Sequence, residues 1–233
     1  MKTYLEFSEV ALVENAATNL RDKLLIRILF RLGCRVSEAL GLTEENVDCE
    51  GHTVTIKHLK ARLHLSCPGC GASLGRRHIF CPGCGNKIST TRIEQQEHRR
   101  QRILPVDVET MDMLREYILQ GGPVVRDGKT MIFGINRHRA WQVIRDCAEK
   151  AGLPRLVNPE TGKMHHVSPH RLRDSFAIHA MKLDDSGDGL RLLQEQLGHA
   201  SFNTTARYRK VAGEELKRWH DRLWVRENDQ GGH

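Results

Sequence analysis

Cys67-Pro68-Gly69-Cys70-Gly71 recurs as Cys81-Pro82-Gly83-Cys84-Gly85, with ten residues between the two cysteine pairs. No other feature constrains the chain as much, because it ties residues 64–90 to one point. Each Cys-x-x-Cys turn presents two sulfurs to the same side, and its glycines permit the tight backbone this requires. Four thiolates at Cys67, Cys70, Cys81 and Cys84 close a tetrahedral shell round one zinc ion and leave no open position for chemistry. Two disulfides, four free thiols and a small iron–sulfur centre are the competing arrangements. A segment this short cannot build a core unaided, so a metal is expected to hold it together. Cys34, Cys49 and Cys147 lack such spacing and read as packed thiols.

Around this segment the pattern is helical. Leu24, Leu25, Ile28, Leu29 and Leu32 form an apolar stripe that Gly33 is placed to end, and a short helix is expected over residues 36–40. Residues 53–56 read as a strand and 102–106 as its partner, with Pro105 marking its end. The cysteine segment therefore falls at what would otherwise be a hairpin tip. Asp107 is expected to cap a helix carrying Val108, Met111, Leu114 and Ile118. Trp141, Ile144 and Ala148 mark another, and Ser168-Pro169 opens a third with Leu172, Phe176 and Met181. Leu190, Leu193 and Leu197 line the next, stopped by Gly198. Asn203 caps a short helix leading to Tyr208, and Leu216, Trp219 and Leu223 share a last one whose tryptophans suit a contact with another protomer. The expected fold is mainly α with a small antiparallel β-sheet.

The chain of 233 residues is 39% hydrophobic, which excludes a disordered tail. No apolar run approaches the roughly 18 residues that span a bilayer. Glu6, Glu9 and Glu14 deny the first twenty residues the basic start and apolar centre of a secretory signal, so a cytoplasmic location without membrane is expected. Lys and Arg exceed Asp and Glu by seven. That surplus fits a nucleic-acid partner or a solvated basic surface, and the clusters Arg76-Arg77-His78, residues 98–102 and Arg137-His138-Arg139 favour the first.

Three further stretches carry chemistry: Gly33-Cys34-Arg35-Val36-Ser37-Glu38, Ser168-Pro169-His170-Arg171-Leu172-Arg173-Asp174, and Leu197-Gly198-His199 followed nine residues later by Tyr208. Singly each has a plain structural reading. In this order and spacing they resemble the catalytic domain of the tyrosine recombinases, the phage-integrase family. The resemblance covers nearly the whole chain, 1–233, apart from a zinc-ribbon insertion in the β-hairpin at 64–90. It implies a site-specific DNA recombinase or integrase working through a 3′-phosphotyrosine, with double-stranded DNA as substrate and a homo-oligomer on DNA. It also implies that the family's N-terminal core-binding domain is absent, since Arg35 comes so early.

By this resemblance Arg35 and Arg173 clamp the phosphate oxygens, His199 adds a hydrogen bond, and Tyr208 is the nucleophile, with His170 accepting its proton. The family's hairpin lysine, which protonates the leaving 5′-oxygen, falls on Lys60 or Lys57, and the strand end favours Lys60. No nucleotide or catalytic metal is needed, because the phosphoester bond is conserved in the covalent link. A non-catalytic zinc-ribbon DNA-binding protein and a type IB-like DNA-relaxing enzyme remain the alternatives. A metal hydrolase built on His165, His166, His170 or His179 lacks a carboxylate at ligand spacing.

Overall fold

Helix α1 (Phe7–Asn15) lays Val10 and Val13 against α2 (Leu20–Arg31), the helix on which the core is built. In this computed structural model the described residues are 2–57, 62–75, 78–88, 92–96, 101–158, 161–199, 203–206 and 208. The stripe Leu24, Leu25, Ile28 and Leu29 is buried along α2, and Asn19 caps its start by accepting from the Asp22 N–H. Gly33 follows in the left-handed conformation (φ 58°). A side chain there would also strike the Phe176 ring at 2.4 Å, so both backbone and packing require glycine. The short helix α3 (Val36–Ala39) comes next.

Strands β1 (Val47–Asp48), β2 (Thr53–Lys57) and β6 (Gln101–Pro105) form one sheet in the order β1-β2-β6, with β1 and β2 antiparallel. The two expected strands are therefore neighbours, and β2 alternates half-buried with buried residues as a one-sided strand must. Helix α4 (Val108–Leu119) is capped by Asp107, whose carboxylate accepts from the Thr110 N–H. Strands β7 (Val124–Arg126) and β8 (Lys129–Met131) form a hairpin. Helix α5 (Arg137–Lys150) and the short pair β9 (Leu156–Val157) and β10 (Met164–His165) lead to α6 (Pro169–Leu183) and α7 (Gly187–Leu197). Pro169 takes the first position of α6, but Ser168 before it makes no side-chain capping bond. Helix α2 packs against α1, α4, α5 and α6. Among the described residues no helix is long and apolar enough to cross a membrane.

Lys57–Gln101 is a compact unit distinct from Met1–Ile56 with Arg102–His233. It contains the expected 64–90 segment and adds a hairpin, β3 (Arg62–Ser66) paired antiparallel with β5 (Arg92–Gln96), with β4 (Ser73–Leu74) on the other edge of β3. Its small core is Cys67, Leu74 and Cys81, packed by Leu65, Ala72 and Ile88.

Candidate active site

Arg173 lies on the buried face of α6, with only 3% of its surface exposed. Its Nη1 donates to the Gly33 carbonyl at 2.6 Å, and its Nη2 donates to the Leu197 carbonyl and to His199 Nε2, both at 2.9 Å. Arginine only donates, so His199 accepts at Nε2, and its Nδ1–H faces Thr205 Oγ1 at 2.9 Å. The left-handed turns at Gly33 and Gly198 thus place two carbonyls and one imidazole round a single guanidinium. Burial, then the neighbouring Arg35 charge, lower the Arg173 pKa from its ordinary value.

Arg35 stands before α3 with about a third of its side chain exposed, and its Nη1 pairs with Glu38 Oε1 at 2.9 Å. Glu38 is buried and also accepts the Arg35 backbone N–H and Arg102 Nη2. Arg102 then donates through Nη1 to the Leu197 carbonyl at 3.0 Å, the same oxygen that Arg173 uses. Arg102 therefore ties the Arg35 stretch to the Leu197-Gly198-His199 stretch. It lies in the basic run that reads as a nucleic-acid contact, yet it turns inward.

Tyr208 is buried among Ala177, Ile178, Met181, Leu190, Leu193 and Leu197, and its ring stacks on His199 with centroids 6.3 Å apart. Its hydroxyl donates to Asp174 Oδ1 at 2.8 Å. The other oxygen of Asp174 accepts from Arg171 Nη1 at 3.2 Å and lies 3.6 Å from His170 Nε2. His170 itself is exposed at the start of α6, whereas Arg173 is buried. Asp174 thus stands between the phenol and the histidine expected to take its proton. Sequence reasoning passed over Asp174 and Arg102. The signal for Asp174 was its place four residues after His170 on one helix. Lys57 is exposed at the end of β2, whereas Lys60, Arg207 and the tryptophans Trp219 and Trp224 lie outside the described residues.

The four sulfurs of Cys67, Cys70, Cys81 and Cys84 lie within 4.8 Å of one another and can hold a metal ion. Cys67 and Cys84 are 3.8 Å apart and Cys70 and Cys81 are 3.5 Å apart. A tetrahedral zinc site of four thiolates, with Zn–S bonds of about 2.3 Å, sets its sulfurs about 3.8 Å apart, so the donor set fits. The two turns repeat each other: Gly71 N–H donates to the Cys67 carbonyl and Gly85 N–H to the Cys81 carbonyl, each at 2.9 Å. Backbone N–H groups of Cys84 and Gly83 aimed at Cys81 lower its thiol pKa to about 6, whereas Cys70, despite the Ala72 N–H, is pushed up to about 12 by the hydrogen bonds it shares with Cys81 and Cys84. Cys34 is fully buried, and that burial pushes its thiol up to about 12, as suits a packed, unreactive residue.

A profile of the phage integrase family matches residues 85–215. The chain is 30% identical over 201 residues to "Tyrosine recombinase XerD" of Neisseria meningitidis serogroup B, an alignment covering 83% of this chain and 51% of that protein. The chain thus spans about half the length of the curated relatives it matches. Among solved structures, a XerA recombinase superposes with a TM-score of 0.64 at 21% identity, over 96% of this chain and 64% of the other. The catalytic domain of bacteriophage HP1 integrase superposes with a TM-score of 0.54 at 18% identity, over 93% and 92% of the two chains.

Proposed function

The chain belongs to the phage integrase family, and from that premise we propose that it cleaves and rejoins duplex DNA as a site-specific recombinase through Tyr208. The observation that carries this reading is the gathering of Arg173, His199 and Tyr208, with Arg35 linked through Glu38 and Arg102, from segments far apart in sequence. Burial first, and then the Arg35 charge, disfavour the charged Arg173, and an anion between the two guanidiniums relieves that, as a phosphodiester would. Tyr208 Oη attacks phosphorus, the phosphotyrosyl bond forms, and the 5′-oxygen leaves. Arg35 and Arg173 meet the charge that develops on the non-bridging oxygens. His170 takes the phenolic proton, with Asp174 holding the phenol beforehand, and Lys60 protonates the departing oxygen. The phenol is buried, so it swings out of its apolar packing to reach DNA. For His199 Nε2 to donate to the phosphate, Arg173 must release it and that nitrogen must carry the ring proton.

Cys67, Cys70, Cys81 and Cys84 bind one structural zinc per chain, which holds the 64–90 insertion of a catalytic domain running over 1–233. The protein works in the cytoplasm, where thiols stay reduced, and as a homo-oligomer on DNA, because strand exchange brings two duplexes together. The experiment is a nicked duplex whose cut fragment diffuses away and traps the covalent adduct, read on a denaturing gel. Wild-type protein forms a protein-linked band whose phosphopeptide maps to Tyr208. A band persisting in Tyr208→Phe, or mapping to Tyr4 or Tyr117, overturns the mechanism. For the general acid, a 5′-bridging sulfur substrate rescues Lys60→Ala, since thiolate leaves without a proton. Full activity of Lys60→Ala on ordinary DNA removes that assignment.

A further inference from the structure

The basic surplus of the chain is not spread over it. The unit Lys57–Gln101 contains nine of the thirty-six Lys and Arg residues but only Glu94 and Glu97 of the twenty-nine acids, a net charge of +7. The rest of the chain has twenty-seven of each, so its net charge is zero. About a fifth of the residues therefore holds the whole of the formal net charge. Two acids are too few to pair the unit's nine cations. Four thiolates round a zinc ion would add about −2 and still leave the unit strongly positive.

Self-repulsion in so small a body is destabilising, and the small core of Cys67, Leu74 and Cys81 seen among the described residues offers little to offset it. A solvated basic face has no reason to exclude acids so completely. A polyanion removes the penalty, because each neutralised phosphate also releases condensed counterions. Lys57 and Lys87 are exposed, and so are Ile79 and Phe80, two large apolar side chains between the cysteine turns. Apolar side chains beside cations suit a nucleic-acid groove, where they meet sugars and base edges while cations meet phosphates.

We infer that the four-cysteine unit is the chain's main surface for gripping duplex DNA, holding it by the phosphate backbone without reading its sequence. This rests on the DNA-acting reading above, and it moves the bulk of the affinity from the neutral catalytic body to the inserted unit. The metal then has a functional consequence: it keeps together a body whose own charges would drive it apart.

The test uses the full chain and a labelled duplex of arbitrary sequence, with fluorescence anisotropy read across a salt series. Arg62→Gln, Lys87→Gln and Arg92→Gln together remove three charges from the unit. Lys129→Gln, Arg137→Gln and Arg139→Gln remove three exposed charges from the other unit. The first set is expected to flatten the slope of log K against log salt by about 2.7 and to weaken binding about 30-fold or more at 0.15 M. The second set is expected to weaken it less than about 3-fold. If the first triple loses its metal, the three single variants are compared instead, each lowering the slope by about 0.9. Equal effects of the two sets, or no effect of the first, overturn the inference while wild-type binding keeps the DNA reading intact. Absence of salt-dependent duplex binding by wild-type protein overturns the DNA reading itself.

Discussion

Tyr208 and Arg173 are both buried, yet their substitutions should behave differently. Tyr208→Phe removes one hydroxyl and the bond it donates to Asp174, so it should cost about 1–3 kcal/mol of stability and leave the fold intact. Covalent capture should vanish. Arg173 makes bonds to Gly33, Leu197 and His199, and lysine keeps the charge but cannot span those acceptors. Arg173→Lys should therefore lower the melting temperature and also slow capture by orders of magnitude. Arg35 is partly exposed and holds Glu38 in company with Arg102, so Arg35→Ala should slow capture with little change in melting. Thermal melts beside single-turnover capture separate these cases, and a large melting loss in Arg35→Ala contradicts the geometry. The candidate residues that the sequence brought forward were those whose spacing matches a known chemistry: Arg35, His170, Arg173, His199 and Tyr208. Their supports were not legible. Arg102 sits in a run of cations that reads as a nucleic-acid contact, and its partners, the buried Glu38 carboxylate and the Leu197 carbonyl, are far away in sequence.

Each helix end does as much for the site as the helix itself. Gly198 closes α7 at φ 65°, and a Cβ there would lie 1.3 Å from Arg102 Nη1. Gly198→Ala therefore carries two faults: a left-handed backbone that alanine adopts at a cost of about 1–2 kcal/mol, and the loss of Arg102 from its place. It should reduce capture more than its melting loss explains. Combining it with Arg102→Ala should bring back part of the stability, since the collision disappears while the backbone fault remains. If the double variant is less stable than the sum of the singles predicts, the collision is not the cause. The glycines that end helices were readable, as were the apolar stripes of α2, α4, α5, α6 and α7. Helix α1 went unread, because Glu9 and Glu14 interrupt its apolar residues; the structure reveals Glu14 as the buried partner of Arg27. The β7–β8 hairpin went unread although Asp127-Gly128, both at positive φ, is a hairpin turn signal.

At the scale of the whole molecule the chain is two bodies with different physical bases. Among the described residues the larger core runs from Leu5 to Leu172 and includes none of Lys57–Gln101. Among the described residues the smaller unit buries the hydrophobic side chains of Cys67, Leu74 and Cys81, two of them candidate metal ligands. The proposed metal would then help meet the conformational entropy of ordering forty-five residues at about 1–2 kcal/mol each. Removing the metal should therefore unfold one body and spare the other. Protein purified without added zinc should contain about one equivalent of metal per chain. A strong chelator should then open amides and protease sites within Lys57–Gln101, while the helices α2, α5 and α6 keep their hydrogen-exchange protection and the helical circular dichroism stays. Zinc added back should restore protection. Cys67→Ser with Cys81→Ser should mimic the chelator and abolish metal uptake. If chelation leaves Lys57–Gln101 protected, the unit does not depend on metal. If the helical signal collapses as well, the larger core depends on the smaller body in a way its own packing does not require.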